Sequence, residues 1–197
     1  MSVIVAIKEN DKIYIGCDSQ ATKGGTRTTL KNKNNYKVWK VIGVDNCLMA
    51  SVGALRDACV IRTMDNLITE YNIYKKQICY SFVVNRIIPD IIERLQDVHY
   101  LKKSDVFECM DSSYLFAYEN KLYYIGCDGS VVEVDDCVAI GSGKNEAIGS
   151  LLTSIGQDPE ERIIKAIKAS ATSDIYVDYP IIITDTENTE FKIINEK

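Results

Sequence analysis

Residues 2–20 read Ser2-Val3-Ile4-Val5-Ala6-Ile7-Lys8, then Glu9-Asn10-Asp11, then Lys12-Ile13-Tyr14-Ile15-Gly16-Cys17-Asp18-Ser19-Gln20. Two β-forming runs on either side of a short polar break predict a β-hairpin. If the hairpin closes on Asn10, the numbers of paired positions sum to twenty and Ser2 lies directly opposite Asp18. Removal of Met1 would then leave a serine whose free α-amine lies within reach of a carboxylate, an arrangement suited to a serine nucleophile that uses its own amine as base.

The chain is long enough for a sizeable core, and its composition is ordinary. Its 197 residues predict a single domain, residues 1–197, and its 46% hydrophobic and 26% charged residues are typical of globular proteins. The net charge of −5 argues against a nucleic-acid or anionic-membrane surface, because phosphate binding needs concentrated Lys and Arg. The one local excess of positive charge lies between Lys23 and Lys40.

The remaining composition bears on compartment and cofactors. No apolar run approaches the roughly twenty residues that span a bilayer, and the N-terminus lacks the pattern of a signal peptide. The seven cysteines form no CxxC pair, which predicts a cytoplasmic protein with reduced thiols. Because His99 is the only histidine and the cysteines are scattered, we expect no metal site and no cofactor.

Apolar periodicity places strands and helices in separate runs along the chain. We expect helices over residues 54–71, 81–97, 144–155 and 158–171; Pro89 should kink or break the second, and Asp158 should cap the last. Besides the hairpin, we expect strands over residues 36–43, 46–52, 113–118, 121–127, 130–134, 137–140, 179–184 and 190–194. The polar stretch 21–35 predicts a loop with a short strand at 26–30, and 101–112 predicts a polar connection.

This order of elements favours an α+β fold with mainly antiparallel sheets. In the first hairpin the odd-numbered positions, 3 to 7 and 13 to 17, form one wholly apolar face, and the even-numbered face also holds Ile4, Ala6 and Tyr14. A sheet that is apolar on both faces must be covered on both. The sequence Tyr-Ile-Gly-Cys-Asp at 14–18 recurs at 124–128, as expected if each of two sheets holds an equivalent hairpin. We therefore predict a four-layer αββα sandwich.

Five short motifs are similar, in order and spacing, to those of a known family. They are Ser2-Val3-Ile4-Val5-Ala6, Gly16-Cys17-Asp18-Ser19-Gln20-Ala21-Thr22, Lys37-Val38, Ser51-Val52-Gly53 and Ala139-Ile140-Gly141-Ser142-Gly143. On these residues the chain resembles the proteasome β-subunit and HslV peptidase family of N-terminal nucleophile hydrolases. The resemblance covers nearly the whole chain in element order and implies the same four-layer sandwich.

By position, the resemblance implies six site residues: Ser2, Asp18, Lys37, Gly53, Ser142 and Asp174. Ser2 takes the place of the family's N-terminal threonine nucleophile. Asp18 matches the aspartate after the second strand, and Lys37 matches the lysine before the next β-run. The Gly53 N–H would help to form the oxyanion hole, and Ser142 and Asp174 match the outer groups that support the α-amine.

These residues are also chemically consistent with one another. A serine hydroxyl needs a base beside it, and His99 lies in a polar stretch after a helix, where it cannot serve. The α-amine has a reference pKa of about 7.7–8.0, which suits a base working near neutral pH. A Lys37 ammonium would lower that pKa, Asp18 would hold the lysine, and the Gly53 N–H would stabilise the oxyanion by about 3–4 kcal/mol.

Three features depart from the family pattern. The nucleophile is Ser rather than Thr, the segment between Asp18 and Lys37 is a few residues longer than in HslV, and Cys17 stands where the family has a small, glycine-like residue. Single candidates also have purely structural explanations, such as a turn at Gly53 or a helix N-cap at Ser142. The ordered set of matches, rather than any one residue, favours the site.

The resemblance implies a threonine-protease-type peptidase that cleaves unfolded polypeptide inside a homo-oligomeric ring. The chain contains no GxxxxGK[ST] motif, so an ATP-driven unfoldase would be a separate partner chain. Two other functions fit the same fold. One is a non-catalytic ring subunit that serves assembly, and the other is an N-terminal nucleophile amidase that acts on a small molecule.

Overall fold

The computed structural model describes residues 2–74, 77–98, 102–103, 108–188 and 190–195. Its strands are β1 Val3–Glu9, β2 Lys12–Cys17, β3 Gln20–Lys23, β4 Thr26–Thr29, β5 Val38–Lys40, β6 Cys47–Gly53, β7 Lys102–Lys103, β8 Glu108–Cys109, β9 Ser112–Tyr118, β10 Lys121–Ile125, β11 Val131–Glu133, β12 Cys137–Gly141, β13 Ile181–Asp185 and β14 Lys192–Ile194. Its helices are α1 Leu55–Ile61, α2 Glu70–Tyr74, α3 Tyr80–Phe82, α4 Ile88–Asp97, α5 Lys144–Thr153 and α6 Pro159–Ser173. Within these ranges, every helix is too short or too polar to cross a membrane.

Two five-stranded antiparallel sheets form the centre of the molecule. The first has the strand order β12-β1-β2-β13-β14, and the second has the order β11-β10-β9-β6-β5. Each sheet contains a hairpin of consecutive strands, β1–β2 in the first and β9–β10 in the second. These are the hairpins that carry the repeated pentapeptide, so the predicted two-sheet arrangement is confirmed.

Three apolar clusters separate four layers. The cluster between the sheets includes Ile4, Ile13, Ile15, Leu48, Leu115, Leu122 and Ile182. The cluster between the first sheet and helices α5 and α6 includes Val3, Val5, Ile7, Leu151, Ile163 and Ile167. The cluster between the second sheet and helices α1 and α4 includes Met49, Ile61, Ile91, Leu95, Phe116 and Tyr123. The α+β fold and its αββα layers are as predicted.

The predicted register of the first hairpin is wrong by one residue. Asn10 and Asp11 both have positive φ, 55° and 57°, so the hairpin closes on a two-residue turn instead of on Asn10 alone. Ile7 pairs with Tyr14, and the Asp18 N–H donates to the Val3 carbonyl at 3.3 Å. Asp18 therefore lies opposite Val3, one position beyond Ser2.

The shift of register also corrects the predicted faces of the hairpin, because a one-residue slip moves a strand's side chains to the other face. The odd-numbered residues of β1 pack against α5 and α6, whereas Ile13, Ile15 and Cys17 of β2 face the second sheet. Gly16 thus points toward α6, where a Cβ would come within 2.3 Å of Ile163 Cγ2. The absence of a side chain at Gly16 lets α6 approach the sheet.

The helix predicted over residues 54–71 is interrupted. It ends at Ile61, and the Thr63 hydroxyl donates to the Val60 carbonyl at 2.8 Å. Such a side-chain bond competes with helix continuation. Met64, Leu67 and Ile68 are still buried in the core, but an irregular backbone buries them instead of a helix. A separate short helix follows at α2.

Other predicted elements differ in detail. The irregularity expected at Pro89 takes the form of a π-helical turn, Val83–Ile87, directly before α4. The predicted loop 21–35 contains two paired strands, β3 and β4, of which only the second was expected. The predicted strand 36–43 is reduced to β5. Met1, His99 and much of the connection 101–112 lie outside the described residues.

Candidate active site

Several strand ends meet at one cleft. The start of β1, the segment before β5 and the end of β6 contribute Ser2, Lys37 and Gly53 to a cavity of about 520 Å³. The hairpin β3–β4 and helix α1 line the rest of it. Three of the six predicted site residues therefore share one cavity, although they are far apart in sequence.

The turn after β12 holds the backbone of Ser2. The Ser2 nitrogen donates to Ser142 Oγ at 3.0 Å, and the Ser142 hydroxyl lies 3.3 Å from the Ser2 carbonyl, to which it can donate. The Gly143 N–H donates to the same carbonyl at 3.3 Å. Gly141 has φ +102°, and a Cβ there would lie 2.1 Å from the Ser2 carbonyl oxygen. Only glycine fits this close approach between the two backbones.

A buried ion pair lies next to Ser2. Lys37 Nζ donates to Asp18 Oδ1 at 2.7 Å, and the exposed fractions are 7% for Lys37 and 0% for Asp18. The N–H of Val3 donates to the same carboxylate oxygen at 3.0 Å, and the N–H of Gln20 donates to Oδ2 at 2.9 Å. The pair is thus fixed to the strand that carries Ser2.

The surroundings of Asp18 act on its pKa in opposite directions. Burial raises the pKa of the Asp18 carboxyl, and the Lys37 ammonium and the N–H groups of Val3 and Gln20 oppose that rise. These three groups favour the charged carboxylate, whereas burial favours the neutral acid. Because every contact described above brings an N–H donor to this carboxyl, Asp18 is best described as a carboxylate paired with a lysine ammonium.

The turn at Gly53 is held from behind by a second buried carboxylate. Gly53 has φ +131°, and a Cβ there would lie 2.3 Å from the Asp111 carbonyl oxygen. The next residue, Ala54, donates its N–H to Ser112 Oγ at 3.0 Å. Asp57, which is 0% exposed, accepts at 3.2 Å from the Asp111 N–H and at 3.2 Å from the Tyr114 hydroxyl. Burial raises the pKa of Asp57, and hydrogen bonds from Ser112 and Tyr114 oppose the rise.

Asp174 lies at the end of α6 and caps a local turn. Its Oδ1 accepts from the Tyr176 N–H at 2.9 Å. Its Oδ2 is buried and has no hydrogen-bond partner among the described residues. The described hydrogen bonds therefore join Ser142 to Ser2 directly and do not join Asp174 to either residue.

Two side chains near the site were missed by the sequence reasoning. Gln20 Nε2 donates to the Ile175 carbonyl at 2.9 Å, which ties the cleft to the segment after α6. Asp178 pairs with Arg27 of β4, and its N–H approaches Asp18 Oδ2 at 3.5 Å. Gln20 belongs to one of the five sequence motifs, but its contact with Ile175 depends on the fold. The link from Arg27 to Asp178 had no sequence signal.

Cys17 is a core residue of the sheet interface. It is 0% exposed, and burial raises the pKa of its thiol to about 12. A thiol with so high a pKa stays protonated at neutral pH and is a poor nucleophile. Its side chain fills the space between the sheets directly before Asp18.

The protein is a four-layer αββα sandwich, and its first strand brings residue 2 to a cleft beside a buried Lys–Asp pair. This combination defines the class of N-terminal nucleophile hydrolases. Comparison with known families specifies the class further. The model of the family described as proteasome subunit matches residues 2–183. The chain belongs to this family, and it is a peptidase-type member of the hydrolase class.

Individual relatives agree with this assignment over nearly the full length. The chain is 27% identical over 192 residues to the ATP-dependent protease subunit HslV of Borreliella burgdorferi strain ZS7, covering 95% of this chain and 97% of the relative. Among solved structures, Thiobacillus denitrificans BPH in complex with epoxomicin has a TM-score of 0.71 at 18% identity, with 93% and 97% of the chains covered. Eukaryotic HslV from Trypanosoma brucei has a TM-score of 0.65 at 19% identity, with 93% and 98% covered. At these identities, the structural matches establish the fold.

Proposed function

We propose that Ser2, once Met1 is removed, is the N-terminal nucleophile of a peptidase. The observation that carries the proposal is the arrangement around residue 2. Its nitrogen bonds to Ser142 Oγ at 3.0 Å, and the Asp18–Lys37 pair of 2.7 Å is anchored on the neighbouring Val3 N–H. The α-amine as base, the Lys37 ammonium as cation and the cleft thus lie at or next to Ser2.

In the proposed reaction, the α-amine of Ser2 takes the proton from the Ser2 hydroxyl as Oγ attacks the peptide carbonyl. The tetrahedral intermediate collapses when the α-ammonium returns this proton to the leaving amine, which breaks the C–N bond. An ester of Ser2 remains. Water then attacks the ester with the α-amine again as base, and the α-ammonium returns the proton to Ser2 Oγ as the C–Oγ bond breaks, which releases the acid and free Ser2.

Lys37, Asp18 and Gly53 have supporting roles in this mechanism. The Lys37 ammonium keeps the neighbouring amine unprotonated near neutral pH, because a nearby like charge lowers an amine's pKa. Asp18 holds Lys37 in place. The Gly53 N–H is the proposed donor to the oxyanion, an interaction whose loss typically costs about 3–4 kcal/mol in the barrier. Ser142 orients the amine, and Asp174 is the proposed outer support.

We further propose that the substrate is unfolded polypeptide, supplied to a homo-oligomeric ring of this chain by a separate ATP-driven unfoldase. The full-length similarity to an ATP-dependent protease subunit supports this proposal. The chain's net charge of −5 agrees with a protein substrate rather than a nucleic acid. Sedimentation of the purified protein tests ring formation, and a purely monomeric species across micromolar concentrations would contradict it.

Intact-mass measurement combined with a Ser2→Ala variant tests the nucleophile. We expect the mass of the active protein to lack Met1, and an electrophilic probe for N-terminal nucleophiles to add one label to the parent and none to Ser2→Ala. Cleavage of an unfolded protein should fall to background in Ser2→Ala. Ser130→Ala is the matched control, since Ser130 is exposed in the turn before β11 and lines none of the three cavities. Its rate should equal the parent's.

The same measurements separate the two other candidate functions. Folded, assembled protein that retains Met1 would identify a non-catalytic ring subunit, because the amine would then be displaced from Ser2. Hydrolysis of small amides without any cleavage of peptides, lost in Ser2→Ala, would identify an amidase. Cleavage by Ser2→Ala at the parent's rate would contradict the proposed nucleophile outright.

A further inference from the structure

The cleft beside Ser2 is basic within an acidic protein. Its charged lining residues, among those that the structure describes, are all cations: Lys23, Lys37, Arg56 and Arg62. Of the two neighbouring cavities, one shares Arg62 with the cleft and also contains Lys33, Lys40 and Glu190, and the other contains Lys40, Asp45 and Glu187. The cleft differs from both in having no carboxylate among its described lining residues, although the whole chain carries a net charge of −5.

Three of these four charges have no counter-ion in the described parts of the chain. Lys37 is neutralised by Asp18. Lys23 and Arg56 are exposed, and neither they nor Arg62 forms an ion pair with a described carboxylate. A concave surface with one sign of charge concentrates ions of the opposite sign. The cleft therefore attracts anionic groups.

Arg62 makes this attraction specific. Leu55, Ala58 and Arg62 follow one another at helical spacing and all line the cleft along α1. The Arg62 guanidinium donates to the Tyr36 carbonyl at 2.7 Å and to the Ala58 carbonyl at 3.1 Å. It also donates to the Asn34 carbonyl, and it lies 4.8 Å from the centroid of the Trp39 ring.

These contacts fix the position of Arg62 without cancelling its charge, because all three acceptors are neutral carbonyls. Burial lowers the pKa of the Arg62 guanidinium, which is the expected sign for a charge that is partly withdrawn from water. A guanidinium has five N–H donors, of which these contacts use three. Donors therefore remain for a carboxylate, the group whose geometry suits a guanidinium best.

We propose that this cleft selects substrates with an acidic side chain, Asp or Glu, beside the reacting carbonyl, and that Arg56 and Arg62 are the residues that determine this specificity. Lys23, on the rim formed by β3, adds to the field. The inference rests on the proposed peptidase function for the identity of the substrate as a peptide, but the charge preference can be measured without any cleavage.

The test is calorimetric binding of two peptides to the full-length Ser2→Ala protein. The peptides are acetylated and amidated hexapeptides that differ only in a central Glu or Gln, so the ends carry no charge. We expect the Glu peptide to bind about three- to tenfold more tightly at low salt. Raising the salt concentration should reduce the ratio, because exposed charges are screened.

Charge reversal assigns the preference to the cleft. In Lys23→Glu/Arg56→Glu the ratio should fall to one or below, since both positions are exposed and the fold should persist. The matched control, Arg94→Glu/Lys168→Glu, makes the same change of charge at exposed positions of α4 and α6 that line none of the three cavities. It should keep the parent's ratio. Arg62→Gln should also lose the preference, with circular dichroism to check its folding.

The outcomes are separable from those of the proposed function. Equal binding of the two peptides at low salt, or no binding of the Glu peptide at millimolar concentration, would overturn the inference. An equal loss of preference in the control would also overturn it, because the effect would then be one of net charge. Preferential binding of the Glu peptide by a protein whose parent cleaves neither peptide would support the charge selection and contradict the peptidase.

Discussion

At the scale of single residues, the site depends on one carboxylate that serves several donors at once. Asp18 accepts from the Lys37 ammonium and from the N–H groups of Val3 and Gln20. It thereby links the strand that carries Ser2 to the segment that precedes β5. Removing one partner of a buried ion pair is far more costly than removing both, since the remaining charge stays buried.

Asp18→Asn should therefore destabilise the protein strongly. The neutral amide leaves Lys37 buried without a counter-ion, and we expect a loss of about 3–5 kcal/mol in the free energy of unfolding. Urea denaturation measures it. Asp18→Asn/Lys37→Met should recover part of the lost stability while remaining inactive. Asp45→Asn, at an exposed turn position, should stay within about 0.5 kcal/mol of the parent. A fully stable Asp18→Asn protein would show that the Asp18–Lys37 pair contributes little to the free energy of unfolding.

Gly53→Ala should damage both stability and activity. A φ of +131° is accessible to glycine and strained for other residues, and the new Cβ would lie 2.3 Å from the Asp111 carbonyl oxygen. We expect a loss of about 1–3 kcal/mol in unfolding free energy and a fall in kcat, because the turn must move. Gly149→Ala is the control: its Cβ meets open space on α5, and it should gain about 0.5–1 kcal/mol. Unchanged kcat in Gly53→Ala would remove this turn from the mechanism.

At the scale of elements, one end of the first sheet is fastened by a second carboxylate. Asp185, at the end of β13, accepts from Lys12 of β2 at 3.1 Å and from the N–H groups of Glu187 and Asn188 at 2.8 Å. Burial would raise the pKa of Asp185, but the hydrogen bonds from Asn188, Lys12 and Glu187 outweigh it and hold the pKa below its usual value.

This lowered pKa predicts a pH dependence of stability. A carboxyl with a lower pKa in the folded state stabilises the protein above its unfolded pKa of about 3.9, and the contribution is lost as the pH falls through the folded value. Asp185→Asn should therefore cost about 1–3 kcal/mol at pH 7 and progressively less below pH 4. Urea midpoints at both pH values measure it, with exposed Asp97→Asn as the control. A deficit that grows on acidification would reverse the assigned sign.

Two elements, the first hairpin and helix α1, show which structural details the sequence could not predict. Alternation of apolar residues correctly predicted both hairpins, but the register of the first depended on whether Asn10 or the pair Asn10-Asp11 forms the turn. That difference of one residue decided which residue faces Asp18. Likewise, the spacing of Met64, Leu67 and Ile68 satisfies burial in a helix or in a folded loop, so the pattern alone could not end α1 at Ile61.

For the candidate site, the sequence motifs indicated residues that lie at the cleft but not the contacts between them. The motifs supplied Ser2, Lys37 and Gly53, which share the cleft. The bond of Gln20 to the Ile175 carbonyl and the pairing of Arg27 with Asp178 join segments about 150 residues apart. Such contacts depend on how separate elements pack, and no local pattern contains that information.

At the scale of the whole molecule, stability should depend most on the cluster between the two sheets. Leu115 lies in β9 and is 0% exposed within that cluster. Leu115→Ala should cost about 2–5 kcal/mol, because the rigid sheets cannot close on the cavity. Leu152→Ala, at a side chain that is 55% exposed, should change stability by less than about 0.5 kcal/mol. Similar urea midpoints for the two variants would contradict the layered description of the core.

The close packing of α6 has a consequence for the position of the N-terminus. At Gly143 a Cβ would lie 2.7 Å from Ser170 Cβ, and the Ser170 hydroxyl donates to the Gly143 carbonyl at 2.7 Å. Gly143 in turn donates to the Ser2 carbonyl. These contacts connect the outer helix α6 to the first strand through the backbone of Gly143. The position of residue 2 therefore depends, through Gly143, on how a helix of the outer layer packs.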